Sequence, residues 1–272
     1  MKNIVEIIDE KFPNWSSLSY EDKLLNFIEI NLFLVKEKKW NIRVSNLILK
    51  DQSKLSKIDD ILIELRAGEN VWHRLSNFVI ESYINLPQTL IKRNTNKFYG
   101  KDLLFNLLNI HHLKIDSKLS NKKISLLEKD ICFVNANQDE LLFIMFDERF
   151  NTCYLIDLLK HNDLYKYQKL LNTILEENFP QPFFFIYPNI KTELSWSDDE
   201  IKNILFKGGN VPFKINNYTC FPLNRITSSG HSNKIINIYN QIVNGETDIG
   251  LPSDFYYKGQ IYNEFYKYNI EQ

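Results

Sequence analysis

The chain has 272 residues, 44% of them hydrophobic and 25% charged, with only eight glycines and eight prolines. That balance excludes a disordered or collagen-like chain and leaves little material for long flexible linkers. The formal net charge of −1 removes the simple electrostatic argument for a nucleic-acid binder, though not a local basic patch.

In chain order, Leu24, Leu25, Phe27, Ile28, Leu32, Leu34 and Val35 recur at helical spacing. They predict a helix over Tyr20–Lys39, with Ser19 as cap and Glu21-Asp22 as an acidic first turn. A second amphipathic helix is expected over Ser56–Arg66, ending at Gly68, and a third over Asn70–Leu86, stopping at Pro87. These make a helical front, read as a region covering 1–95. From there the pattern changes. Asp102–Leu108 reads as a short helix that runs into Ile110-His111-His112-Leu113-Lys114. Ile131–Val134, Leu141–Phe146 and Thr152–Leu158 read as strands, being short apolar runs rich in β-branched and aromatic residues. Asp147–Asn151 has hairpin length between the last two. Their unbroken apolarity predicts a sheet covered on both faces, by helices. Further helices are expected over Leu164–Asn178, from the cap Ser197-Asp198-Asp199-Glu200 to Phe206, and from Ser229-Gly230-His231-Ser232 to Val243. Short strands are expected near Val211–Ile215 and Tyr218–Phe221. The aromatic tail Phe255–Tyr268 reads as a docked last helix. The fold class is therefore α+β: a helical N-terminal part, then a small antiparallel sheet flanked by helices over 96–272.

Cys132, Cys153 and Cys220 form an odd set without CxxC spacing, which argues against a disulfide scaffold and a structural zinc site. Cys153 lies in an apolar strand, where a thiol is buried and inert. The opening residues place Glu6 inside the first apolar stretch, unlike a signal peptide, and no run approaches the ~18 apolar residues of a membrane span. A cytoplasmic protein without a membrane partner is the expectation.

Five histidines carry most of the chemical interest. His111 and His112 enter a strand, His161 follows one, His231 opens a helix, and His73 reads as an incidental helix residue. Imidazole titrates near neutrality and serves as general acid or base. With Lys114, Lys160 and Asp157 nearby, one imidazole would take the proton of a ribose 2′-hydroxyl and another would protonate the leaving oxygen. A lysine would meet the charge gathering on phosphorus. Set against this, each histidine alone is more simply a strand-end or helix-end hydrogen-bonding residue. Adjacent His111 and His112 point to opposite strand faces and no HExxH motif accompanies them, so no metal or other cofactor is called for. Ser229-Gly230 ahead of a helix would hold an anion on free backbone N–H groups, the plainer alternative being an ordinary cap. Lys207-Gly208-Gly209 reads as a helix end.

Residues 110–165 resemble the RelE/ParE-like toxin superfamily, in its ribonuclease branch. The residues that carry the resemblance are His112-Leu113-Lys114, Leu141–Phe146, Tyr154–Leu159 and Lys160-His161-Asn162-Asp163-Leu164-Tyr165. The resemblance implies a compact antiparallel sheet flanked by helices that cleaves RNA, often on the ribosome. It makes His112 and His161 acid/base candidates, Lys114 a phosphate contact and Asp163 an orienting residue. The wider arrangement resembles bacterial phage-defence proteins. Two functions follow as expectations. One is a metal-independent endoribonuclease-type toxin or phage-defence effector, with His111 and His231 as further catalytic candidates and RNA or the ribosome as partner. The other is a non-catalytic sensor or partner of such a system, bound to another protein or an antitoxin through aromatic surface.

Overall fold

The computed structural model describes residues 4–116, 118–135, 140–160, 166–186, 200, 203–204, 207, 209, 212–215 and 218–244. The chain is α+β, with helices leading and a four-stranded sheet at its centre.

The front begins with α1 (Ile4–Lys11) and α2 (Tyr20–Phe33). Ser19 caps α2 by accepting from the Asp22 N–H, as its position before an acidic turn requires. Helix α2 ends at Phe33, earlier than the apolar pattern suggests, because Leu34 is extended and the chain turns toward a strand, β1 (Asn41–Val44). Three short helices follow: α3 (Asn46–Leu49), α4 (Gln52–Lys57) and α5 (Asp59–Ala67). Gly68 stops α5 in the left-handed region at φ 81°. The stretch expected as one helix to Pro87 is divided. Trp72–Arg74 forms a 3₁₀ turn containing His73, then come α6 (Asn77–Ile84) and α7 (Leu86–Arg93). Pro87 does not stop a helix but sits in the first turn of α7, where its missing N–H would have had no partner.

Helix α8 (Leu103–Leu108), capped by Asp102, leads into β2 (Ile110–Lys114) through Asn109 at φ 55°. A hairpin, β3 (Leu119–Leu126) and β4 (Lys129–Val134), precedes β5 (Glu140–Asp147) and β6 (Thr152–Lys160). The central sheet runs β1-β6-β5-β2. Its β2–β5 and β5–β6 pairs are antiparallel, as the hairpin pattern predicts, whereas β1 pairs parallel to β6 and makes the sheet mixed. Beyond it lie α9 (Lys166–Glu176), a small sheet of β7 (Phe183–Ile186), β9 (Tyr218–Pro222) and β8 (Phe213–Ile215), and α10 (Asn233–Val243).

Alternate residues of β5 and β6 feed two apolar clusters. Leu142, Ile144, Cys153 and Leu155 enter the larger one, with Phe27, Ile28, Ile61 and Ile80 from the front helices and Ile238 from α10. Phe143, Met145, Tyr154 and Ile156 enter the other, with Leu104 and Leu107 of α8 and Leu170, Leu171 and Ile174 of α9. Both sheet faces are thus covered by helices, which is why these strands read as unbroken apolar runs. The larger cluster draws on residues from both sides of position 95. Cys153 lies fully buried within it, and burial pushes its thiol up to about 12, so the thiolate is suppressed. Among the described residues no helix is long and apolar enough to cross a membrane.

Of the helix expected from Ser197, residues 200, 203 and 204 are described and are helical; its cap, Gly208 and the Phe255–Tyr268 tail lie outside the described residues.

Candidate acid–base site on the central sheet

Among the described residues two imidazoles are open to solvent, His73 at 24% and His112 at 20% exposure, and His112 is the one on the central sheet. Helix α8 lasts six residues, and the left-handed Asn109 then reverses the chain into β2. This short excursion returns His112 to the start of its own helix, where its Nδ1 lies 3.1 Å from Oδ2 of Asp102. Asp102 is also the α8 cap, its Oδ1 accepting from the Phe105 N–H at 3.1 Å. The carboxylate therefore has one oxygen fixed by the helix and the other turned to the imidazole. Burial raises the Asp102 carboxyl, but the charge and nearby ring proton of His112 and the Phe105 N–H outweigh it and hold the group below its usual range. The approach is an ion-pair contact and not a hydrogen bond of good geometry, since Oδ2 has no hydrogen-bond partner among the described residues. Through its charge the carboxylate favours a proton on Nδ1, which makes Nε2 the basic nitrogen of the neutral ring. The His112 side chain is 20% exposed while that of Asp102 is 4% exposed, so a substrate meets the imidazole and not its carboxylate.

Register then brings a second polar pair alongside. His112 is paired with Phe143 across β2–β5, and Phe143 with Asp157 across β5–β6. Directly paired residues share a sheet face. Two strand spacings put the His112 and Asp157 backbones about 10 Å apart. The His112 and Phe143 rings are 6.2 Å apart between centroids, so the phenyl ring forms the floor between them. A register shift in the β5–β6 pairing just beyond Phe143 leaves Ile156 without a partner and sets Asp157 opposite Phe143. Asp157 accepts from the Lys54 ammonium of α4 at 2.6 Å and from its own neighbour's N–H, that of Leu158, at 2.8 Å. Lys160 follows three residues later as the exposed end of β6. His161 and Asp163 come next in sequence and lie outside the described residues.

The remaining candidates do not join this row. His111, one residue away, points to the opposite face as strand geometry demands. Its Nε2 faces the Phe33 carbonyl at 3.0 Å, and its ring packs among Phe33, Phe105 and Phe146. Burial there drives its pKa down to about 4, so it is neutral at physiological pH. His231 lies in a separate interior cluster, its Nδ1 2.8 Å from Oε2 of Glu29. Lys101 donates to that same Glu29 oxygen at 2.8 Å and to the Gly230 carbonyl at 2.7 Å. Burial would raise the Glu29 carboxyl, but Lys101 and His231 hold it far below the ordinary range. Desolvation brings Lys101 down to about 8 and also lowers His231. This is a salt-linked core cluster that a substrate does not reach.

Lys114 donates to the Val134 carbonyl at 2.8 Å and to Asn77 Oδ1 at 3.2 Å, which pins β2 to β4 and α6. The Ser229-Gly230 loop is bonded to itself: Thr227 and Ser229 hydroxyls are 2.8 Å apart, and the Gly230 N–H donates to the Thr227 carbonyl. Ser232, not Ser229, caps α10. His73 approaches the Asn70 carbonyl and Glu64, whose carboxyl is lowered to about 2 because Arg74 and His73 outweigh its burial.

Sequence reasoning missed Asp102 and Lys54 as neighbours of this site. Asp102 carries a readable signal, since an Asp before a six-residue helix is a cap, but its second contact depends on the reversal at Asn109. Lys54 reaches Asp157 only because β1, itself unread, brings α4 to the edge of β6. Among the described residues no group of three or more His, Cys, Asp or Glu side chains is arranged to hold a metal.

No protein-family model, curated protein or solved structure matches the chain.

Proposed function

We propose that the chain is an endoribonuclease-type effector that cleaves RNA by histidine acid–base chemistry, with His112 as the group that moves the proton. The observation that supports this most is the contact of His112 with the buried Asp102 carboxylate while its ring remains open to solvent. A base held by an orienting carboxylate is the arrangement that proton abstraction from a weakly acidic hydroxyl needs. In this reading His112 Nε2 takes the proton of a ribose 2′-hydroxyl. The alkoxide attacks the adjacent phosphorus, and the P–O5′ bond breaks as the leaving oxygen is protonated, by His161 in the proposal. The products are a 2′,3′-cyclic phosphate and a 5′-hydroxyl. Lys160 at the exposed end of β6 supplies positive charge along the same row of the sheet, where Lys54 is already matched by Asp157. RNA as the substrate rests on the resemblance of residues 110–165 to ribonuclease toxins.

The test is purified protein against total RNA and against ribosomes, in the presence of chelator, comparing wild type with His112→Ala. Cleavage leaving cyclic-phosphate ends, lost at least a hundredfold in the folded variant, is the expected result. Intact RNA in every wild-type reaction would overturn the reading.

A second reading, a non-catalytic partner of a toxin or defence system, gains from the interior positions of His111 and His231. Both make structural contacts that leave them out of reach of a substrate. Under it, His112→Ala behaves as wild type and the chain copurifies with a protein in stable stoichiometry.

A further inference from the structure

Away from His112, at the end of the sheet where β5 turns into β6, a cleft of about 710 Å³ opens between the end of α2, that turn and the start of α10. Its volume lies within the range of small-molecule sites. Five charged side chains line it: Lys36, Asp147, Glu148, Arg149 and Lys234. Four of these are matched. Lys36 is paired with Glu148, and Arg149 with Asp147, whose oxygens it meets at 3.2 and 3.1 Å. Lys234, in the first turn of α10, has no hydrogen bond or ion pair to any of the described residues. Three cations against two carboxylates leave the cleft with one surplus positive charge, centred on Lys234. His111 adds none, since it is neutral, and its Nδ1 accepts no hydrogen bond. With its Nε2 facing a carbonyl, Nδ1 is an acceptor without a donor, buried behind the wall of the cleft.

From this arrangement we infer that the cleft binds a small organic anion, its oxyanion held by Lys234. Among the described residues the carboxylate that acts on Lys234 is Glu148, which is already bound to Lys36, so an oxyanion beside this partly buried ammonium offsets part of its desolvation cost. Burial lowers the Lys234 pKa, and a bound anion would raise it again. The Trp40 ring is not a stacking platform for the ligand: the Lys38 ammonium lies 4.2 Å from its centroid and the Phe146 ring 5.0 Å away. A compact oxyanion therefore fits the lining better than a flat aromatic one.

The measurement is thermal stability and calorimetric titration of the full chain with three probes: inorganic phosphate, ribose 5-phosphate and glycerate. Sodium chloride at matched ionic strength is the control. Phosphate-bearing and carboxylate-bearing sources are separated by which probe binds more tightly. At least one is expected to saturate at a 1:1 ratio, with affinity falling tenfold or more in Lys234→Met and unchanged in His112→Ala. Rescue of part of the affinity in Lys234→Arg keeps the result specific to the charge. No saturable binding to the wild type by any probe, or equal binding by Lys234→Met, would overturn the inference.

Discussion

The interior imidazole of His111 makes folding depend on pH in a calculable way. Its folded pKa is about 4 against an ordinary value of 6.5. Burial is the first cause, since the charged ring would lose its hydration among Phe33, Phe105 and Phe146. A group whose folded pKa is depressed binds fewer protons when folded, so stability is intact above the unfolded pKa and drains away as pH falls toward the folded one. At 1.36 kcal/mol per pH unit, going from pH 7 to pH 4.5 should remove about 2.5 kcal/mol through this residue alone. Carboxylates held low, such as Glu64 and Asp102, begin to contribute only toward the bottom of that window. Urea denaturation of wild type and His111→Gln at both pH values isolates the effect. The Gln side-chain amide can still donate to the Phe33 carbonyl, and it does not titrate. The variant is expected to be less stable at pH 7 but to lose about 2.5 kcal/mol less on acidification. Equal losses in the two proteins would refute the assignment of a neutral, desolvated His111.

Two further perturbations probe the frame around the sites. Lys101→Met leaves the interior Glu29 carboxylate with His231 as its close partner, and the loss should be about 3 kcal/mol at pH 7, read from the urea midpoint. Gly100→Ala is expected to destabilise by more than the ~1 kcal/mol of an ordinary backbone substitution. Gly100 sits at φ 70°, and an added Cβ would come within 2.3 Å of the Ser82 side chain, which thermal unfolding would report.

The sequence revealed the parts of this fold that depend on local pattern. The apolar runs of β5 and β6, the cap Ser19 and the stop at Gly68 all lie where the residues place them. What stayed hidden is set by distant contacts. Asn41–Val44 is too short and too polar on one side to announce a strand, and it exists because β6 offers it a parallel edge. The polar run Leu119–Leu126 forms β3 by pairing with β4 alone. The site was legible to the same degree. That His111 and His112 face apart follows from strand geometry, but which of them reaches solvent depends on α2 closing over one face. The partner of His231 is on α2, about two hundred residues earlier in the chain, and no local pattern announces it.

The pH–rate profile of RNA cleavage by wild type and Asp102→Asn addresses His112 most directly. An amide in place of the carboxylate no longer favours the tautomer with its proton on Nδ1. The variant should therefore cleave at least a hundredfold more slowly across the profile, with its fold intact. A profile superimposable on that of the wild type would contradict the account, because His112 would then owe nothing to the carboxylate beside it.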